Sequence, residues 1–192
     1  MAREIWLIRH GDTEWSKSGA HTGRTDIPLT ENGRLQAAEL GKYLAGRQFG
    51  IVLSSPLRRA RDTCELSGMA PVEEMDDLKE WDYGDYEGRT TREIRQERPD
   101  WSLWEDGVPN GESIDHVGAR ADCVIERVLP AEGDVALFAH GHILRILAAR
   151  WLGRPPADGR QLALGTASLS TLGFERETRV VLLWNFRKEM VS

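Results

Sequence analysis

Ile5-Trp6-Leu7-Ile8-Arg9-His10-Gly11 decides the fold. The apolar run reads as a buried strand. It ends in a cation, an imidazole and a glycine, which lets the backbone turn sharply or approach a ligand closely. The same grammar recurs twice. Ile51-Val52-Leu53 runs into Ser54-Ser55-Pro56-Leu57-Arg58-Arg59, and Val135 to Ala139 runs into His140-Gly141-His142.

Between these strands the periodicity turns helical. Thr30 caps a helix whose Ala37, Leu40, Gly41 and Leu44 share a face. Ser55-Pro56 reads as a helix start, with serine as cap and proline at the first helical position. A short helix is expected near Thr91 to Glu97. A long one starts at Ser113, carries Ile114, Val117, Ala121, Val124, Ile125 and Val128 at a period of about 3.6, and stops at Pro130. Another runs from Ile143 to Leu152. Late strands at Leu169 to Phe174 and Val180 to Trp184 complete the pattern. Strands alternating with helices imply an α/β domain, three layers α/β/α around a mostly parallel sheet. Residues 1–192 read as one domain, and the long aromatic-rich stretch at 85–111 reads as a lid.

A chain of 192 residues with 40% hydrophobic and 29% charged content is that of an ordinary globular domain. No apolar stretch spans a bilayer, and the start, Met1-Ala2-Arg3-Glu4-Ile5, lacks a signal-peptide core, so the cytoplasm is the expected location. Cys64 and Cys123 both read as small buried hydrophobes on helix faces. No spacing suggests zinc or another metal, and no cofactor is expected. The net charge of −6 argues against nucleic acid as a partner.

In parallel α/β sheets, ligands sit beyond the carboxyl ends of the strands. All three clusters fall on that edge, where helix N-termini also favour anions. An acidic protein needs such a local basic patch to bind a phosphate ester.

These elements resemble the histidine phosphatase superfamily, the branch of cofactor-dependent phosphoglycerate mutases and their phosphatase relatives. The resemblance rests on Arg9-His10-Gly11, the run from Ser54 to Thr63, Glu80 to Gly88 and His140-Gly141, in family order across nearly the whole chain. Glu14 to Gly19, Thr22-Gly23, Glu80-Trp81-Asp82-Tyr83-Gly84-Asp85-Tyr86-Glu87-Gly88 and His140-Gly141-His142 are similar to the sedoheptulose-1,7-bisphosphatase group and to short actinobacterial acid phosphatases.

The resemblance implies a phosphoglycerate mutase-like fold and a catalytic set of His10, Glu80, His140, Arg9 and Arg59. His10 is the nucleophile and forms a phosphohistidine. It must attack as neutral imidazole with its other nitrogen protonated and held by an acceptor. Arg9, Arg59 and His140 surround the phosphoryl oxygens. Glu80 is the general acid, a role that calls for a poorly solvated carboxyl beside Trp81 and Tyr83. Substrate-binding positions are Ser16, Thr22, Gly23, Arg24, Tyr83, Gly141 and His142. Lys17 and Arg24 suit a second anionic group or plain solvent; His142 suits the pocket or a helix-start hydrogen bond; Trp101 and Trp104 suit lining the lid or, the favoured reading, packing under it. Arg58 and Arg61 read as surface ion pairs, Arg145 as structural.

Phosphoglycerate mutases resemble one another in placing an arginine directly after the catalytic glutamate. Here Trp81 stands there, and the stretch from Gly88 to Gly111 is short. Hydrolysis of a small phosphorylated metabolite, a sugar phosphate or bisphosphate, is therefore expected. The alternatives are a phosphoglycerate mutase and an inactive phosphate-binding module. Relatives include monomers and dimers, so a homodimer is allowed.

Overall fold

A computed structural model describes residues 4–70 and 73–187. The start of the stretch read as free of a signal peptide, Met1 to Arg3, lies outside the described residues. The sheet contains β1 (Ile5–Arg9), β2 (Phe49–Ser54), β3 (Glu73–Glu74), β4 (Asp134–Ala139), β5 (Leu169–Glu175) and β6 (Thr178–Phe186). Their order is β3-β2-β4-β1-β5-β6. The first four in that order are parallel, and β5 and β6 join antiparallel. The helices are α1 (Glu14–Ser18), α2 (Glu31–Leu44), α3 (Arg58–Leu66), α4 (Thr91–Glu97), α5 (Leu103–Asp106), α6 (Ile114–Val128) and α7 (Gly141–Trp151).

Strand alternation builds the three layers. On β1, Ile5 and Leu7 join the core shared with α6 and α7, whereas Trp6 and Ile8 join the core shared with α2 and α3. On β4, Val135 and Leu137 face the first side and Ala136 and Phe138 the second. Each fully buried aliphatic side chain contributes roughly 1.5–3 kcal/mol, so the central strands are held from both faces. The segment 85–111 sends Tyr86, Ile94, Trp101 and Leu103 into the larger core. No helix among the described residues is long and apolar enough to cross a membrane.

Two local expectations are corrected. Ser55 does not cap α3: the helix starts at Arg58, with Leu57 at the cap and no side-chain cap bond. The Ser55 hydroxyl is engaged by His140 instead, 2.8 Å away. Cys123 is exposed, although Cys64 is buried. One turn along α6, Cys123 stacks over exposed Ala119 and Glu126, off the stripe formed by Val117, Ala121 and Val124.

Register places the site. Arg9 pairs with Ala139 across β1 and β4, so His10 and His140 leave neighbouring strands at the same level. Gly11 then packs on the start of α2. A Cβ on Gly11 would lie 2.3 Å from the Gly33 carbonyl oxygen, and one on Gly33 would lie 2.2 Å from that of Asp12. The glycine after the imidazole thus serves a close backbone approach to Gly33, where the sequence pointed to a turn or a ligand.

Candidate active site

His10 and His140 face each other with ring centroids 5.2 Å apart, and both are buried. His10 Nδ1 donates to the Gly11 carbonyl at 2.7 Å. That bond fixes the proton on Nδ1 and leaves the Nε2 lone pair free for attack. His140 is held in the opposite tautomer. Arg59 Nε donates to its Nδ1 at 3.0 Å, and its Nε2 donates to Ser55 Oγ. Burial, and then the positive charges of Arg59 and Arg9, hold His10 well below the ordinary imidazole range. Burial and the same arginines act likewise on His140.

Arg59 is fully buried in the first turn of α3. Its Nη1 donates to Thr25 O at 3.0 Å, and its Nη2 to Thr22 O at 3.1 Å and Gly23 O at 2.9 Å. Of its five N–H groups, these bonds and the one to His140 leave a single Nη1 hydrogen uncommitted. Arg9 differs. Its Nη1 donates to the Leu164 carbonyl, while its Nε is buried without a hydrogen-bond partner among the described residues. A buried arginine donor left open is costly unless an anion completes it. Its guanidinium lies over the start of α7, where a Cβ on Gly141 would come 3.3 Å from Arg9 Cζ. Burial lowers the proton affinity of Arg9 and Arg59, and the Glu80 carboxylate opposes this.

Glu80 is buried on a loop and reaches the N-terminus of α7. Its Oε1 accepts from Trp81 N and Ile143 N, and its Oε2 from His142 N, all at 3.0 Å. Of the amides at the α7 N-terminus expected to serve a substrate anion, those of His142 and Ile143 are therefore taken by the protein's own Glu80 carboxyl. The first amide of α3 is similarly taken, by Asp26 at 2.7 Å from Arg58 N. The guanidinium groups of Arg59 and Arg9 add positive charge at both imidazoles.

Tyr83 OH and His142 Nδ1 are 2.6 Å apart. Burial, then the Glu80 charge, raise the Tyr83 phenol well above its ordinary value. Burial and Arg145 lower His142. Tyr83 is therefore the donor. His21, not recognised in the sequence, stacks on this pair, 4.8 Å from the Tyr83 ring and 5.7 Å from Trp101. Burial takes His21 down to about 4. Trp104 closes the wall, 5.3 Å from His142, and the Arg145 guanidinium lies over the Trp104 ring, 4.7 Å from its centroid.

The remaining positions lie differently. The Ser16 hydroxyl forms a capping box with Thr13 at the start of α1. Thr22 and Gly23 offer their carbonyls to Arg59, as described. Arg24 turns toward Asp82 at 3.7 Å and Glu112 at 3.5 Å, and Lys17 is exposed. Arg58 and Arg61 form the surface pairs expected, with Asp62 and Glu74. Arg145 donates to the Gly159 and Arg160 carbonyls. No group of three or more His, Cys, Asp or Glu placed to hold a metal ion occurs among the described residues.

The histidines at 10, 21, 140 and 142 all bind protons less tightly folded than unfolded. Below about pH 6.5 the unfolded chain therefore gains protons that the folded one refuses. Stability is complete above that pH and drains as pH falls, at up to about 1.4 kcal/mol per pH unit for each such histidine. Urea midpoints measured at pH 7.5, 6 and 5 should fall in that order; a flat series would contradict the buried neutral assignment.

Comparison with known proteins identifies the family. The profile of the histidine phosphatase superfamily (branch 1) matches residues 5–187. An acid phosphatase of Mycobacterium tuberculosis is 44% identical over 91% of this chain and 88% of its own length. The sedoheptulose 1,7-bisphosphatase of Saccharomyces cerevisiae is 40% identical over 77% of this chain and 66% of its own. Among solved structures, a mycobacterial glucosyl-3-phosphoglycerate phosphatase in complex with VO3 superposes with a TM-score of 0.85 at 32% identity, covering 96% of this chain and 99% of that one.

Proposed function

Since the chain belongs to the histidine phosphatase superfamily, branch 1, we propose that it is a phosphomonoesterase that hydrolyses small phosphorylated metabolites, sugar phosphates or bisphosphates, through a phosphohistidine on His10. The observation that carries this reading is the opposed tautomers of the two facing imidazoles. His10, its Nδ1 tied to Gly11, keeps Nε2 for attack opposite the His140 ring, under the positive charges of Arg59 and Arg9.

In the first step His10 Nε2 bonds to phosphorus as the ester P–O bond breaks. The Glu80 carboxyl delivers its proton to the departing alcohol oxygen. The ring becomes cationic, and its Nδ1–H, kept throughout, is stabilised by the Gly11 carbonyl. In the second step water attacks phosphorus, Glu80 takes back a proton, the N–P bond breaks and orthophosphate leaves. Arg9, and Arg59 with its one uncommitted N–H, neutralise the phosphoryl oxygens in both steps. Because burial keeps His10 neutral well into the acid range, the nucleophile stays competent at acidic pH.

Names of relatives support the substrate class: acid phosphatase, sedoheptulose 1,7-bisphosphatase and glucosyl-3-phosphoglycerate phosphatase. The wall of His21, Tyr83, Trp104 and His142 gives the alcohol half an aromatic surface. Orthophosphate should be released from p-nitrophenyl phosphate and from sugar phosphates in the presence of a chelator. 3-Phosphoglycerate should be hydrolysed rather than isomerised. No release between pH 4 and 8 would sink the phosphatase reading.

Glu80→Gln tests the acid. It should lower kcat/KM for a sugar phosphate by about 10²–10⁴-fold. It should lower that for p-nitrophenyl phosphate far less, because that leaving group departs without protonation. Equal losses on both substrates would remove Glu80 from the role.

A further inference from the structure

Nothing in the chemistry above uses the most heavily bonded buried ion pair of the molecule. Arg120 stands on the core-facing stripe of α6, and both it and Glu112 are buried. The pair is bidentate: Arg120 Nε to Glu112 Oε1 and Nη2 to Glu112 Oε2, each at 2.8 Å. The guanidinium also donates to three carbonyls of the Glu80 loop. Nη1 reaches Asp77 O at 2.8 Å and Lys79 O at 2.7 Å, and Nη2 reaches Glu80 O at 3.3 Å. All five N–H groups are thereby satisfied.

Glu112 grips the same loop on the far side of Glu80. Its Oε2 accepts from Asp82 N at 3.0 Å, its own N–H donates to Asp82 O at 3.0 Å, and its carbonyl accepts from Trp81 Nε1 at 2.9 Å. Burial alone would raise the Glu112 carboxyl; the hydrogen bonds from Arg120 and the Asp82 amide outweigh it and lower it. Glu112 is thus an ionised acceptor. The loop from residue 77 to residue 82 has no regular helix or strand at Glu80 itself. Its backbone geometry is set by this pair.

We infer that Arg120 and Glu112 are positioning residues for Glu80: they clamp both sides of its peptide so that its carboxyl meets the leaving-group oxygen. This inference rests on the reading of Glu80 as the leaving-group acid. A buried ion pair replaceable by apolar packing contributes little to stability on its own. Here its donors and acceptors are directed at one short segment. A displacement of about 1 Å at a catalytic group costs on the order of 100-fold, so the clamp acts on rate.

The test is Arg120→Lys, which keeps the charge and cannot hold three carbonyls and a carboxylate together. Its kcat/KM should fall by about 100-fold for a sugar phosphate and by only a few-fold for p-nitrophenyl phosphate, with KM nearly constant. Combined with Glu80→Gln it should cost nothing further on the sugar phosphate, because the two act as one unit. Equal losses on both substrates, or multiplied losses in the double variant, would make the pair merely structural. Should Arg120→Lys not fold, Glu112→Gln carries the test: it keeps an oxygen toward the loop, loses the charge, and should show the same leaving-group signature. If Glu80→Gln itself shows no such signature, the acid assignment fails first. If the unaltered enzyme releases no phosphate, the phosphatase reading fails instead.

Discussion

His10→Ala should abolish hydrolysis of p-nitrophenyl phosphate and of sugar phosphates, by about 10⁴–10⁶-fold in kcat, with the fold intact. The loss is chemical. Without the imidazole there is no atom to bond phosphorus, and Glu80 at the α7 N-terminus is placed for a proton rather than for nucleophilic attack. The fold should survive because the hydrogen bonds that brace the site do not pass through the His10 ring. Arg59 still donates to His140, and His140 still donates to Ser55. The ring's own polar partner is the adjacent Gly11 carbonyl. Rapid quench with labelled substrate should trap an acid-labile, base-stable phosphoenzyme in the parent protein and none in the variant. Turnover within tenfold of the parent would end the covalent mechanism.

Arg59→Met should damage both activity and stability. Methionine matches the stem and supplies no donor. The carbonyls of Thr22, Gly23 and Thr25 and the Nδ1 of His140 would lose their partner together. Each buried group left unsatisfied costs about 1–3 kcal/mol. The loop after α1 would then move off the pocket, His140 would be free to change tautomer, and kcat/KM should drop by about 10²–10³-fold or more. Arg59→Lys should rescue little, since one ammonium cannot reproduce a fork aimed at four acceptors. Urea titration and kcat/KM measured on the same preparations check both halves. A variant with parental midpoint and reduced activity would confine Arg59 to phosphate binding; parental values for both would refute the assignment.

Much of this architecture was legible in the chain because the signals are local. Apolar runs at 5–8 and 135–139 mark strands, Thr30 and Ser113 are true caps, and the stripe of α6 has the right period. The clustering of His10, Arg59 and His140 was legible for a different reason: parallel strands deliver the residues that follow them to one edge. What escaped was settled by partners distant in sequence. Ser55 has the composition of a cap, yet its hydroxyl belongs to His140, 85 residues away. Thr22 and Gly23 contribute carbonyls, which no side-chain pattern displays. His21 lies in a loop with no periodicity to place it. Arg120 did leave a trace: a lone arginine between Val117 and Val124 on an otherwise apolar stripe calls for a buried carboxylate, and Glu112 supplies it.

The sheet order has a consequence for how such an enzyme can diversify. Imidazoles and Arg59 hang from the ends of three adjacent parallel strands or the helix that follows one of them, whereas the aromatic wall comes largely from irregular segments before α2 and between β3 and α6. The nucleophile and the arginines that grip phosphate are thus inherited apart from most of the aromatic wall, whereas the leaving-group acid Glu80 shares the segment between β3 and α6 with Tyr83 and Trp104. Descent can rewrite the menu of esters accepted, by insertion or substitution in those irregular segments away from the Glu80 loop, while the nucleophile and its phosphate grip pass on unedited.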